Sequence, residues 1–140
     1  MQKAGCSMIK QIAWAGLMLL TAHATADTPD SVMARYAQQA GVAVTALSPA
    51  RGEALYRGEH PGRDGKTVSC TRCHTANPKQ AGQTRVGKRI EPLAPAANPQ
   101  RFTDAAQLEK WFRRNCTDVL ARECNAQEKG DFIAWLSQIK

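Results

Sequence analysis

The feature that constrains this chain most is the segment Ser69-Cys70-Thr71-Arg72-Cys73-His74, which contains the pattern Cys-x-x-Cys-His. This pattern is typical of the sites at which c-type haem is covalently attached. The two thiols add across the vinyl groups of the macrocycle, and the histidine that follows can present its imidazole to the iron. The sequence therefore predicts one haem c, bound covalently by Cys70 and Cys73 and ligated by His74.

The Cys70 and Cys73 pair could also belong to a redox site or to a zinc site. A thioredoxin-like redox pair requires a β-α-β context, and no such alternation is visible in the sequence. A zinc site would need a second close pair of ligands, whereas Cys116 and Cys124 are separated by seven residues. Both alternatives fit less well than haem.

The N-terminal residues have the organisation of a secretory signal peptide. Lys3 and Lys10 form a positive segment, residues 12–20 form an apolar segment, and residues 24–26 read Ala-Thr-Ala. We expect residues 1–26 to be cleaved off, which would place the mature protein in the periplasm. An uncleaved anchor is the alternative, but the apolar segment is short for crossing a bilayer.

The remaining chain is mildly basic and has the length of one domain. It keeps 17 Lys and Arg residues against 12 Asp and Glu residues, a charge of about +5. No basic run accompanies this charge, so we expect no nucleic-acid binding and a monomer that can meet an acidic partner. We predict a helical extension and linker over residues 27–47 and a monohaem cytochrome domain over residues 48–140.

Local start and stop signals predict short helices separated by long loops, without strand-like alternation. With few aromatic residues the protein core is thin, so a buried haem would supply much of the missing apolar surface. The long loop at residues 77–98 is reasonable if it wraps a cofactor. The first two predicted helices run from Pro29 to Gly41 and from Ser48 to about Tyr56. The third begins at Thr103-Asp104 and has Leu108, Trp111 and Phe112 on one face. The fourth begins at Asn125 with Glu128 and continues to the C-terminus.

Cys116 and Cys124 remain once the haem cysteines are assigned. In an oxidising compartment a disulfide between them is the simplest account, with two free thiols as the alternative. Such a bond would connect the end of the third helix to the start of the fourth.

The second axial ligand is not fixed by these patterns. Electron-transfer cytochromes c commonly use a Met or His downstream of the attachment site, and this chain has neither after His74. His60 precedes the motif in a Gly-rich loop, and the downstream donors are asparagines, lysines and the two remaining cysteines. Asn115 stands out because we expect it at the end of the third helix, directly before Cys116, although asparagine is also common at helix ends for local reasons.

Several longer segments resemble known cytochromes. Gly52-x-x-x-Tyr56 and the closing Asp131-Phe132-Ile133-Ala134-Trp135-Leu136 resemble the packed terminal helices of class I cytochromes c. The chain from about Ser48 onward resembles, more specifically, the sphaeroides haem protein family. The segments that carry this resemblance are residues 87–95 (GKRIEPLAP), 98–104 (NPQRFTD), 109–116 (EKWFRRNC), 122–124 (REC) and 128–131 (EKGD).

The resemblance implies an all-α class I cytochrome c fold, with short helices and long loops wrapped around one covalent haem. It implies that His74 and Asn115 are the two iron ligands and that Cys116 and Cys124 form a disulfide. In that family the asparagine leaves the iron on reduction, which opens a site for small diatomic ligands including oxygen and nitric oxide. The implied electron donors are c- and b-type cytochromes, notably a dihaem cytochrome c. A gas-converting enzyme and a plain electron carrier are the alternative functions.

Overall fold

The computed structural model describes residues 26–140, so the predicted signal peptide lies outside the described part apart from its last residue. No helix within residues 26–140 has the length and hydropathy needed to span a bilayer. The elements are α1 (Pro29–Ala40), a 3₁₀ turn (Val44–Ala46), α2 (Pro49–Arg57), β1 (His60–Pro61), β2 (Thr67–Val68), α3 (Thr71–His74), β3 (Gly82–Gln83), β4 (Arg89–Ile90), α4 (Ala105–Leu120) and α5 (Ala126–Gln138).

The predicted helix starts are confirmed, because each is fixed by a local capping interaction. The side chains of Thr28, Ser48 and Asp104 each accept a hydrogen bond from a backbone N–H in the first turn of α1, α2 and α4. Asn125 and Glu128 form a reciprocal capping box at the start of α5.

The structure also contains two short antiparallel hairpins that the sequence analysis did not predict. The first pairs β1 with β2, and the second pairs β3 with β4. Each strand has only two residues, which is too short for an alternating pattern to be visible in the sequence. The second hairpin lies within the loop predicted to wrap the cofactor.

The close crossing of α2 and α5 organises the core. A Cβ on Gly52 would overlap the carbonyl oxygen of Asp131, so glycine allows the two backbones to meet. The Asp131 side chain, only 3% exposed, accepts hydrogen bonds from Ser48 N (2.6 Å) and from Arg51 Nε (2.7 Å). This packing of α2 against α5 is the one that the resemblance to class I cytochromes c implies.

Helix α1 packs on α5 and shares the same core, which also reaches α4. The Tyr36 hydroxyl donates to Glu109 Oε1 (2.6 Å), and Lys129 Nζ donates to Glu109 Oε2 (2.7 Å). The Phe112 ring lies edge-on to the rings of Tyr36 and Phe132, at centroid distances of 5.9 and 5.7 Å. These contacts fix the N-terminal half of α4 to α1 and α5.

Candidate metal centre

A single short turn brings together the three residues of the attachment motif. Cys70 precedes the four-residue helix α3, and its carbonyl accepts hydrogen bonds from Cys73 N (3.3 Å) and His74 N (3.1 Å). Both cysteines are free thiols. Burial raises the pKa of Cys70 to about 11, so this group is a neutral thiol at pH 7.

The His74 imidazole has the properties of a metal ligand. Its Nδ1 atom is buried and has no hydrogen-bond partner among residues 26–140. Burial, reinforced by the positive charge of Arg101, lowers the pKa of His74 to about 4. The ring is therefore neutral at pH 7 and keeps a nitrogen lone pair for coordination.

The backbone around His74 is held from two sides. The Tyr56 hydroxyl contacts the carbonyl oxygens of His74 (3.0 Å) and Thr75 (2.6 Å). Thr75 has a φ of +65°, a conformation that residues other than glycine rarely adopt. A Cβ on Gly82 would overlap the carbonyl oxygen of Cys73. No local sequence pattern reveals these roles of Tyr56 and Gly82, because both residues contact positions that are distant along the chain.

We expect Tyr56→Phe to destabilise the haem-loaded protein by about 1–3 kcal/mol, since it leaves buried carbonyl groups without their donor. Urea unfolding measures this loss. Tyr36→Phe, which changes the other fully buried tyrosine, is the matched comparison. Tyr56→Phe should also alter the haem circular dichroism more than Tyr36→Phe does, because Tyr56 contacts the His74 turn itself whereas Tyr36 contacts Glu109 of α4. Equal haem signals in both variants would contradict a positioning role for Tyr56.

The structure places Asn115 inside α4 and not at a helix end, which corrects the expectation from the sequence. The helix continues to Leu120 and ends at Ala121, whose φ is +57°. Asn115 is half-buried, so its amide is accessible on this side of the helix. Asparagine is a poor helix former, so local helix stability does not explain its presence within α4.

One face of α4 is left partly open around Asn115. Leu108 and Val119 lie on this face at helical spacing and are half-buried, and the neighbouring Trp111 is 39% exposed. The sequence predicts that Leu108, Trp111 and Phe112 share one face of this helix, but Phe112 is buried in the core. Leu108 packs against the same hydrophobic cluster as Cys70, which connects this face of α4 to the attachment turn.

In the structure Cys116 and Cys124 form a disulfide, with their Cα atoms 5.6 Å apart. The bond joins the C-terminal half of α4 to the segment that precedes α5. Because Cys116 directly follows Asn115, this half of α4 is fixed next to the candidate ligand.

Two side chains that precede the attachment motif and could also donate to iron are engaged elsewhere. The Nε2 atom of His60 lies 2.8 Å from the Leu55 carbonyl oxygen, and the Met33 side chain packs against the core. The chain after the attachment turn also carries Lys88, Arg89 and Arg101, which are candidate partners of the haem propionates. Of these three, only Arg101 influences the pKa of His74.

These residues fit a covalently attached haem. The attachment turn offers two free thiols and a neutral imidazole, and α4 offers an open, largely apolar face with one amide. When bound, the group supplies a redox-active iron with two axial positions. His74 would hold one position, and Asn115 is a candidate for the other.

Comparisons with known proteins identify the family to which this chain belongs. Residues 42–136 match a family model described as a domain of unknown function, DUF1924. The chain is 47% identical to the cytochrome c-type protein SHP of Cereibacter sphaeroides over 110 residues, 79% of this chain and 83% of the relative. It is 37% identical to cytochrome c'' of Methylophilus methylotrophus over 125 residues, 85% of this chain and 87% of the relative.

Two solved structures show the same fold. Oxidised SHP, described as an oxygen-binding cytochrome c, aligns with a TM-score of 0.75 and 45% identity, covering 81% of this chain and 99% of that one. Oxidised cytochrome c'' from Methylophilus methylotrophus aligns with a TM-score of 0.71 and 34% identity, covering 80% of this chain and 94% of that one. The predicted all-α cytochrome fold and covalent haem c are confirmed. The chain belongs to the family of the SHP cytochromes c and is a monohaem c-type cytochrome.

Proposed function

We propose that this cytochrome works in the periplasm with His74 and Asn115 as its axial ligands, and that a small diatomic ligand replaces Asn115 when the iron is reduced. The observation that carries the proposal is the position of Asn115, which is half-buried on the open face of α4 and directly precedes the Cys116–Cys124 disulfide. Oxygen and nitric oxide are the proposed ligands, and SHP is itself described as oxygen-binding.

The donor chemistry of Asn115 supports a redox-dependent exchange. A side-chain amide is a hard, neutral and weak donor, so it suits ferric iron better than ferrous iron. Reduction should therefore weaken the bond to Asn115. The bound gas would then be next to the released amide, which can donate a hydrogen bond to it.

A plain electron carrier is less well supported. Such proteins commonly keep a strong Met or His ligand, and this chain has neither after His74. A gas-reducing enzyme would need a proton donor, and the neighbouring Leu108, Trp111 and Val119 are apolar. We propose electron donation by a dihaem cytochrome c or a membrane cytochrome b. Turnover under oxygen or nitric oxide with such a donor would distinguish binding from conversion.

The absorption spectrum of the reduced protein tests the open-site proposal. We expect a high-spin ferrous spectrum that changes within the mixing time when carbon monoxide is added, because no strong ligand has to be displaced. The matched control is Asn115→His, which offers a stronger donor at the same position and should slow carbon monoxide binding. A low-spin ferrous wild type that does not react with carbon monoxide would contradict the proposal.

A further inference from the structure

The turn between β3 and β4 presents an apolar side chain surrounded by cations. Val86 is 89% exposed and lies next to Arg85 at this turn. Gly87 has a φ of +80°, which fits the tight turn that projects the tip outward. A single exposed valine is ordinary on protein surfaces. Val86 differs from such a residue because it lies within a basic surface next to the haem-attachment turn, where a partner protein could cover it.

The positive charge of this surface is only partly neutralised. Arg89 Nε lies 2.8 Å from Glu91, whereas Arg85 Nη1 is 3.9 Å from Asp64. Arg72 and Lys88 form no ion pair within residues 26–140. The surface therefore carries four cations against two carboxylates, namely Arg72, Arg85, Lys88 and Arg89 against Asp64 and Glu91.

Three of these cations line an open groove of about 840 Å³ beside the haem-attachment turn. They are Arg72, Arg85 and Arg89, and Cys73 forms part of the same lining. Since Cys73 is one of the two residues that carry the haem, a molecule seated on this groove is next to the cofactor. The side chains of Arg85 and Arg89 are 67% and 68% exposed, so they can reach an incoming surface.

We propose that the hairpin surface, defined as Arg72, Arg85, Val86, Lys88 and Arg89, docks the acidic face of an electron-transfer protein. This inference rests on the proposed function in that the partner exchanges electrons with the haem. Carboxylates of the partner would pair with the cations, and an apolar partner residue would cover Val86. Transient protein interfaces combine an apolar centre with a polar rim in this way. A small anion could occupy the groove but would leave Val86 uncovered.

Binding of an acidic peptide to the ferric, haem-loaded protein tests the surface. The probe is a nine-residue peptide of glutamates with a central phenylalanine. Its binding is measured by the chemical-shift changes of the protein's backbone amides in nuclear magnetic resonance spectra. We expect the largest shifts at residues 72 and 82–90. Arg85→Glu should weaken binding about fivefold, since an exposed charge contact contributes at most about 1 kcal/mol. Val86→Ser should weaken it about twofold, and higher salt should weaken it further.

Lys110→Glu is the matched control, because it makes the same charge change on an exposed α4 residue outside the groove. It should weaken peptide binding less than about twofold. Equal losses for Arg85→Glu and Lys110→Glu would overturn the proposal. Binding to phosphatidylglycerol vesicles without binding to the peptide would also overturn the proposal.

These outcomes are separate from the test of the proposed function. Peptide binding is read in the ferric state and does not involve Asn115, whereas carbon monoxide binding does not involve the hairpin. A protein that binds carbon monoxide but not the peptide would contradict only the docking surface.

Discussion

Replacing Asn115 with alanine should convert the ferric protein from a low-spin state to a high-spin one that is five-coordinate or ligated by water. The amide is the proposed second ligand, and no Met or His follows His74 in the chain to replace it. Alanine is a better helix former than asparagine by roughly 0.5 kcal/mol. The variant should therefore fold, and its spectrum should report on the iron alone.

Absorption and electron paramagnetic resonance spectra of the ferric protein measure this change. Gln107→Ala is the matched control, since it removes an exposed amide from the same helix. The control should keep the low-spin spectrum, and azide or cyanide should bind to Asn115→Ala faster than to the wild type. A wild-type spectrum in Asn115→Ala would show that Asn115 is not the ligand.

Removing the disulfide with Cys116→Ser and Cys124→Ser should have the second-largest effect. The bond closes a short loop, and the chain-entropy model gives a loss of about 2.5 kcal/mol in the free energy of unfolding. The C-terminal half of α4 would also lose its covalent link to the segment before α5. We therefore expect a mixture of ferric spin states in the double variant, because Asn115 directly precedes Cys116.

The two effects can be separated experimentally. Urea unfolding gives the change in stability, and ferric spectra recorded where both proteins are fully folded give the change at the iron. A destabilised variant with a wild-type spectrum would make the disulfide purely structural. A variant that is as stable as the wild type would show that the bond contributes nothing to the fold.

Features that depend on neighbouring residues could be predicted from the sequence. The attachment motif, the caps at Thr28, Ser48 and Asp104, and the capping box at Asn125 are all local, and each is observed. Local hydrogen bonds determine where a helix starts, so a pattern of a few residues is sufficient.

Features that depend on tertiary contacts could not be predicted in this way. The C-terminal end of α4 was misplaced because Ala121, and not a glycine, adopts the left-handed conformation there. Phe112 is in the core because its ring packs edge-on against Tyr36 of α1 and Phe132 of α5. The contact of Tyr56 with the His74 carbonyl joins positions 18 residues apart. None of these has a local signal.

The anchoring of α4 at both ends has a consequence for ligand selectivity. Glu109 fixes the helix to α1 and α5 on one side of Asn115, and the disulfide fixes it on the other. With Asn115 as the proposed ligand, a displaced amide would therefore stay within reach of the iron and would compete with every incoming ligand at a high effective concentration. Such an internal competitor would set a minimum affinity that an incoming ligand must exceed. Weak ligands such as water would be excluded from reduced iron, and only ligands that bind ferrous iron strongly would remain.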